Sequence, residues 1–311
     1  MDATNRTAAE PAPATDEQAP TERPGLAMVG CGNMGRAILL AGLRQGVLDP
    51  ARTVVAERDA AKRAALAKDA GLLASGGKRV RIVGTARECA ALAPAGAPML
   101  LAIKPQMLNE VASELIPVLG SWVTAGGRTP LVISILAGAT SAGVRAAMGG
   151  GVRVVRVMPN LPMSIGLGAT AIAHAAPDVT PAEFTFARRL FESSGVVEEL
   201  PEDLIDAFTA IAGSGPAYAF FLAEAMIAGA IALGVEPQAA DRIVRQTLRG
   251  SAEMLSRAGE SPEQLRLAVT SKGGTTAAAI AVLEAQGVMG TWVAALRAAR
   301  DRGKELGRTG G

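Results

Sequence analysis

Histidine is almost missing from this 311-residue chain, which carries only His174. A Ser-His-Asp triad or a histidine-rich metal site would have to be built on that one residue. It closes the apolar run Ala169 to His174, which reads as a strand, so His174 reads as a strand-end residue and no metal site is expected. Cys31 and Cys89 are too few for a disulfide framework, and no Cys-x-x-Cys pair suggests a metal. Aromatic residues make up only 3 %, which leaves little surface for stacking single-stranded bases. Charge of one sign is also lacking: Lys and Arg number 31 against 29 Asp and Glu, with no basic block for nucleic acid. Charged residues are 19 % against 49 % hydrophobic, which excludes a wholly disordered chain.

At this length about two domains are expected, of roughly 100–200 residues each. Residues 1–24 have no apolar run and read as a disordered tail; lacking the core of a signal peptide, the chain is expected in the cytoplasm. Residues 25–200 alternate apolar strand runs with helical stretches. The strands are Leu26 to Val29, Thr53 to Ala56, Arg79 to Val83, Pro98 to Ile103, Leu131 to Ile135 and Val152 to Met158. Their runs are mostly continuous rather than alternating, the mark of strands buried on both faces. The expected fold class is therefore α/β, a doubly wound, mostly parallel Rossmann sheet. Residues 201–311 read as an all-helical domain, with helices over Ala217–Val235, Pro237–Ala258, Ser261–Val269, Thr275–Gln286 and Gly290–Leu306. The first of these carries one charge, Glu224, near its middle. That position argues against a membrane span and for a buried or intersubunit helix.

Gly30-x-Gly32-x-x-Gly35 directly follows the first strand and opens a helix, the context in which such a turn holds a dinucleotide. The first glycine permits the turn, the second admits a pyrophosphate, and the third allows close helix packing. Glu57 ends the second strand, about 20 residues beyond Gly35, where a carboxylate can accept a ribose 2′-OH. Its neighbour Arg58 can pair instead with a 2′-phosphate, so NADH and NADPH signals stand side by side.

Several further phrases converge on one family. Val29 to Gly35, Ala102-Ile103-Lys104-Pro105, Val157-Met158-Pro159-Asn160, Gly213-Ser214-Gly215-Pro216-Ala217-Tyr218 and above all Val269-Thr270-Ser271-Lys272-Gly273-Gly274-Thr275-Thr276 resemble pyrroline-5-carboxylate reductases. The likeness runs in order from about Gly25 to Leu306. It implies NAD(P)H-dependent reduction of L-1-pyrroline-5-carboxylate to L-proline, the last step of proline biosynthesis. It also implies a homo-oligomer: an interlocked homodimer, often built into a decameric ring of dimers, with the active site between one subunit's nucleotide domain and its partner's helices. On this resemblance Val29, Gly30, Cys31, Gly32, Asn33, Met34 and Gly35 run along the pyrophosphate. Arg58 falls at the 2′-phosphate and tips the expected cofactor towards NADPH, with Glu57 beside it. Ala102, Ile103, Lys104, Pro105, Ile135, Leu136 and Ala137 line the ribose and nicotinamide, with Asn160 near the nicotinamide or substrate. Ser271, Gly273, Gly274, Thr275 and Thr276 hold the substrate, and Thr276, as the catalytic residue, bonds the ring nitrogen. Lys272 stands where most members carry proline, and Ala86 where some carry asparagine.

The chemistry suits so poor a set of acids and bases. A carbonyl needs a proton donor for its developing alkoxide. An imine nitrogen is basic enough to arrive protonated, so the protein mainly has to orient it. Two other readings stay open on the residues alone. One is a hydroxyacid-type dehydrogenase using Lys104 or Lys272; the other is a regulatory protein that binds NAD(P)H without turnover. For Thr275 and Thr276 a plain helix cap is the competing explanation.

Overall fold

The computed structural model describes residues 24–69 and 78–309. The expected tail therefore lies outside the described residues, Pro24 excepted. Eight strands form one sheet: β1 (Leu26–Val29), β2 (Thr53–Ala56), β3 (Arg81–Val83), β4 (Met99–Leu101), β5 (Leu131–Ser134), β6 (Arg153–Met158), β7 (Gly168–Ala173) and β8 (Gly195–Leu200). Their order is β3-β2-β1-β4-β5-β6-β7-β8. All neighbours are parallel except β6 and β7, which pair antiparallel across a short connection. The strand order reverses between β1 and β4, the switch point outside which such sheets bind ligands.

The continuous apolar runs have their cause in two helical layers. Between the strands lie α1 (Asn33–Arg44), α2 (Ala60–Ala67), α3 (Ala86–Leu92), α4 (Leu108–Thr124), α5 (Ser141–Ala147) and α6 (Pro181–Glu192). Leu26, Met28, Leu100 and Ile133 face Ile38 and Leu39 of α1 and Leu190 and Phe191 of α6. Ala27, Val29, Met99, Leu101 and Val132 face the other way, onto Cys89 of α3, Leu115 of α4 and Val144 of α5. Each buried Leu, Ile or Phe contributes on the order of 1.5–3 kcal/mol, so both faces must be apolar.

After Leu200 no further strand occurs among the described residues. α7 (Ile205–Phe208) runs through one wide π-turn, Thr209–Gly213, into α8 (Gly215–Ala232). Then follow α9 (Pro237–Arg257), α10 (Pro262–Ala268), α11 (Thr275–Ala285) and α12 (Val288–Thr309). This half has almost no core of its own. α8 and α11 have no buried residue, and α9 buries only Ala240 and Val244. Phe220 is 60 % and Phe221 68 % exposed. The stretch Glu202–Ala232 is long and apolar enough to cross a membrane, but its cause lies elsewhere: these helices are built to be covered by another surface. Three contacts fix their start against the sheet. Arg156 on β6 donates to Asp206 at 2.9 Å, Asn160 Nδ2 donates to the Ala212 carbonyl in the π-turn at 3.0 Å, and α12 ends against Gly138.

One buried ion pair closes the far end of the sheet. Arg153 donates to Glu183 Oε1 at 2.7 Å, and Glu183 also completes a capping box with Thr180 at the start of α6. Burial raises the Glu183 pKa, but hydrogen bonds from Arg153 and Thr180 outweigh it and hold the carboxyl at about 2. A carboxyl lowered by folding stabilises the fold above its ordinary pKa of about 4.3, and that contribution is lost as pH falls towards about 2. Thermal melts between pH 5 and 2.5 should therefore show a steeper loss of Tm for the native chain than for Glu183→Gln, which starts lower. Parallel curves would contradict this.

Candidate active site

The site starts with a steric demand at the switch point. Gly30 has φ +93°, and a Cβ there would lie 2.5 Å from the Ala102 carbonyl oxygen at the end of β4. A Cβ on Gly35 would meet the Gly30 carbonyl at 2.5 Å. No side chain fits at either place, so β1 can turn directly into α1 only with glycine. Gly32 is different: nothing lies within 4 Å of where its Cβ would be. It is the N-cap of α1 and provides no side-chain cap, so the first amides of the helix point into open space. That geometry fits the pyrophosphate of a dinucleotide.

Glu57 braces this turn from β2. Its Oε2 accepts the Cys31 N–H at 3.2 Å and its Oε1 accepts the Asp59 N–H at 3.0 Å, with the residue only 9 % exposed. Arg63 on α2 donates to the Glu57 and Arg58 carbonyls at 2.9 and 2.6 Å and fixes the same corner. Burial, with the Glu57 charge adding to it, pushes the Cys31 thiol up to about 12, so it stays neutral beside the turn. The Arg58 guanidinium reaches across to pair with Glu110 on α4.

From the turn a groove of about 320 Å³ runs over the ends of β1, β2 and β4. Of the residues assigned to the cofactor, Val29, Gly30, Gly32, Glu57, Arg58, Ala102, Ile103 and Lys104 line it. Asn33 instead lines a second groove of about 290 Å³ along α1, with Arg36, Arg44 and Ser164. Pro105 starts the short turn into α4. Ile135 to Ala137 follow β5 into Gly138, where a Cβ on Gly307 of α12 would lie 2.5 Å from the Gly138 carbonyl. Asn160 is buried, and its Oδ1 also accepts the Ala169 N–H at 2.9 Å. Its side chain thus ties β6, β7 and the π-turn together, with one Nδ2 hydrogen left over for a ligand. Sequence reasoning missed Lys62, Thr85 and Glu114, which also line the first groove. Glu114 accepts the Ala86 and Arg87 amides at 2.9 and 3.2 Å and so closes the start of α3.

The second group lies between α10 and α11. Gly273 has φ +71°, which favours glycine, and a Cβ on Gly274 would displace the Ser271 hydroxyl that lies 2.3 Å from its place. Gly274 is the N-cap of α11, again with no side-chain cap. Thr275 and Thr276 are thus the first two helical residues and neither caps the helix, which removes the plain-cap explanation. Their amides offer a cradle for a carboxylate, with the Thr276 hydroxyl at its side. Within one chain α11 leans on α12 and has no extensive contact with the sheet or α1.

Comparison with known proteins brings the two groups under one heading. Residues 202–306 match the family model for pyrroline-5-carboxylate reductase dimerisation, and residues 25–138 the model for NADP oxidoreductase, coenzyme F420-dependent. A pyrroline-5-carboxylate reductase from Synechocystis is 36 % identical over 283 residues, 91 % of this chain and 98 % of the relative. The Escherichia coli enzyme of that name is 31 % identical over 284 residues, again 91 % and 98 %. Among solved structures, a pyrroline-5-carboxylate reductase from Coxiella burnetii superposes with TM-score 0.79 at 33 % identity, covering 92 % of this chain and 99 % of that one. A Plasmodium falciparum pyrroline carboxylate reductase with NADP bound shares the fold at TM-score 0.74 and 24 % identity, over 91 % and 98 %.

Gly35→Ala tests the steric argument. The methyl has to push the start of α1 away from the Gly30 carbonyl, so NADPH affinity, read by quenching of its fluorescence, should fall at least about tenfold, roughly 1.4 kcal/mol. An unchanged Kd would mean the turn does not hold the nucleotide.

Proposed function

Because this chain belongs to the pyrroline-5-carboxylate reductase family, and is an NAD(P)-dependent oxidoreductase of proline biosynthesis acting on an imine, we propose that it works with NADPH at a site assembled from two copies. Its substrate is L-1-pyrroline-5-carboxylate and its product L-proline. The observation that carries the two-copy reading is that α8 and α11 bury nothing within one chain, while residues 202–306 match a dimerisation family. The proposed units are residues 25–200 for the nucleotide and 201–311 for substrate and dimerisation. An interlocked dimer gives α8 its cover; a ring of such dimers and a cytoplasmic location complete the reading.

When bound, the reduced nicotinamide supplies the hydride for the imine carbon. The chain's own residues do the rest. Val29 to Gly35 present the α1 amides to the pyrophosphate. Ala102 to Pro105 and Ile135 to Ala137 would hold the ribose and nicotinamide, and Asn160 would lie near the nicotinamide or substrate. The Thr275 and Thr276 amides at the start of α11 would grip the substrate carboxylate, with Ser271, Gly273 and Gly274 shaping the loop: the Gly274 amide is itself held by the Ser271 carbonyl at 3.0 Å. The Thr276 hydroxyl orients the ring nitrogen, which brings its own proton, so no strong enzyme acid is required. Arg58 faces the 2′-phosphate and supports NADPH, in keeping with the NADP oxidoreductase description of the family matched by residues 25–138.

NADPH oxidation at 340 nm with pyrroline-5-carboxylate tests this. Thr276→Ala should lower kcat/KM by about 10–100-fold, or roughly 1.4–2.7 kcal/mol of lost transition-state stabilisation. Lys272→Met should change it far less. A collapse of kcat at near-native KM in Lys272→Met would point instead to lysine acid–base chemistry of the dehydrogenase type. No oxidation by the native chain would leave a nucleotide-binding protein without turnover.

A further inference from the structure

We propose that Glu110, on the first turn of α4, sets the cofactor preference: it is a resident anion that competes with the 2′-phosphate of NADPH for Arg58. This rests on the reading of the first groove as the seat of the cofactor's adenosine end.

A carboxylate at the end of β2 ordinarily discriminates by accepting ribose hydroxyls and repelling a phosphate. Here each Glu57 oxygen already accepts a backbone N–H, from Cys31 and from Asp59, and the group is buried. Glu57 lines the groove, but its charge is already engaged in holding the glycine turn. Discrimination therefore passes to the cations that are presented there. Arg58 lines the groove with its backbone pinned by Arg63. Lys62, one turn into α2, lines the same groove, and its side chain makes no salt bridge among the described residues.

Arg58 is not idle. Its Nη1 donates to Glu110 Oε1 across the groove. Both side chains are well exposed, at 63 % and 55 %, so the pair is weak and can exchange partners. A phosphomonoester carries about −1.5 to −2 charge at neutral pH and offers several acceptors, so it displaces a single carboxylate from a guanidinium. NADPH binding then releases Glu110, whose remaining charge beside the phosphate still opposes it. NADH gives Arg58 no anion to exchange for, and Glu110 keeps it. Glu110 thus narrows the advantage of NADPH over NADH, while Lys62 widens it.

The test is the ratio of NADH to NADPH dissociation constants, measured by calorimetry on the full chain, for the native protein, Glu110→Gln, Lys62→Met, Arg58→Ala and the double variant Glu110→Gln/Arg58→Ala. Melting curves confirm folding, and the exposed positions make it safe. Glu110→Gln should raise the ratio about threefold and Lys62→Met should lower it about tenfold, the sizes expected of exposed and phosphate-directed charges. In the Arg58→Ala background Glu110→Gln should lose most of its gain, because Glu110 acts through Arg58. An unchanged ratio in Glu110→Gln, or a gain that survives without Arg58, overturns the proposal while the groove remains a cofactor site. Failure of the native chain to bind either nucleotide overturns the reading of the groove and this inference together.

Discussion

The missing Cβ at Gly30 is the constraint on which the rest of the site depends. The carbonyl of Ala102 occupies the place a side chain would take. Only because of that can β1 turn tightly, bring Gly35 onto the Gly30 carbonyl and aim the start of α1 at the switch point. Glu57 then fixes the turn from β2 through the Cys31 amide. The sheet beneath is rigid because both its faces are sealed, by α1 and α6 on one side and α3, α4 and α5 on the other. A rigid sheet with one glycine corner fits a defined seat for a dinucleotide, which hydride transfer demands more than it demands acids or bases.

The helical half obeys the opposite logic. Most of its apolar residues are turned outward, and what holds it to the sheet is a small junction: Ile205 and Phe208 packed on Ala171 and Ala173, with Arg156 bonded to Asp206 and Asn160 to the π-turn carbonyl. Pro216 has no N–H to give the Ala212 carbonyl four residues before it, and Asn160 supplies the missing donor. A small pinned junction and an uncovered apolar surface beyond it are what a chain needs if its second half is completed by another copy.

Much of this was legible in the sequence. The two-faced strands, the glycine corner and the switch to helices after Leu200 follow from apolar runs and turn residues. β8 escaped because it is an exposed edge, Gly195-Val-Val-Glu-Glu-Leu200, where Glu198 and Glu199 break the apolar run. α4 was hard to see because Pro117 sits inside it. Lys62 was missed for a different reason: it reaches the groove through the turn of α2, so only the helix's orientation reveals it. The spacing of Glu57 suggests a ribose ligand, but spacing does not show that its oxygens also accept two backbone amides and so brace the glycine turn. The role of Asn160 was equally hidden, since its partner at Ala212 is remote in the chain.

The central claim is that the glycine corner of one copy works with the Thr276 turn of another. Co-expression of Gly30→Val with Thr276→Ala, each strongly impaired alone, tests it through NADPH oxidation by the purified mixed oligomer, read against either variant by itself. The account predicts that activity returns, because each mixed pair contains one site with an intact corner and an intact threonine turn. Mixed oligomers that form and stay as impaired would mean that both parts of the site come from the same chain.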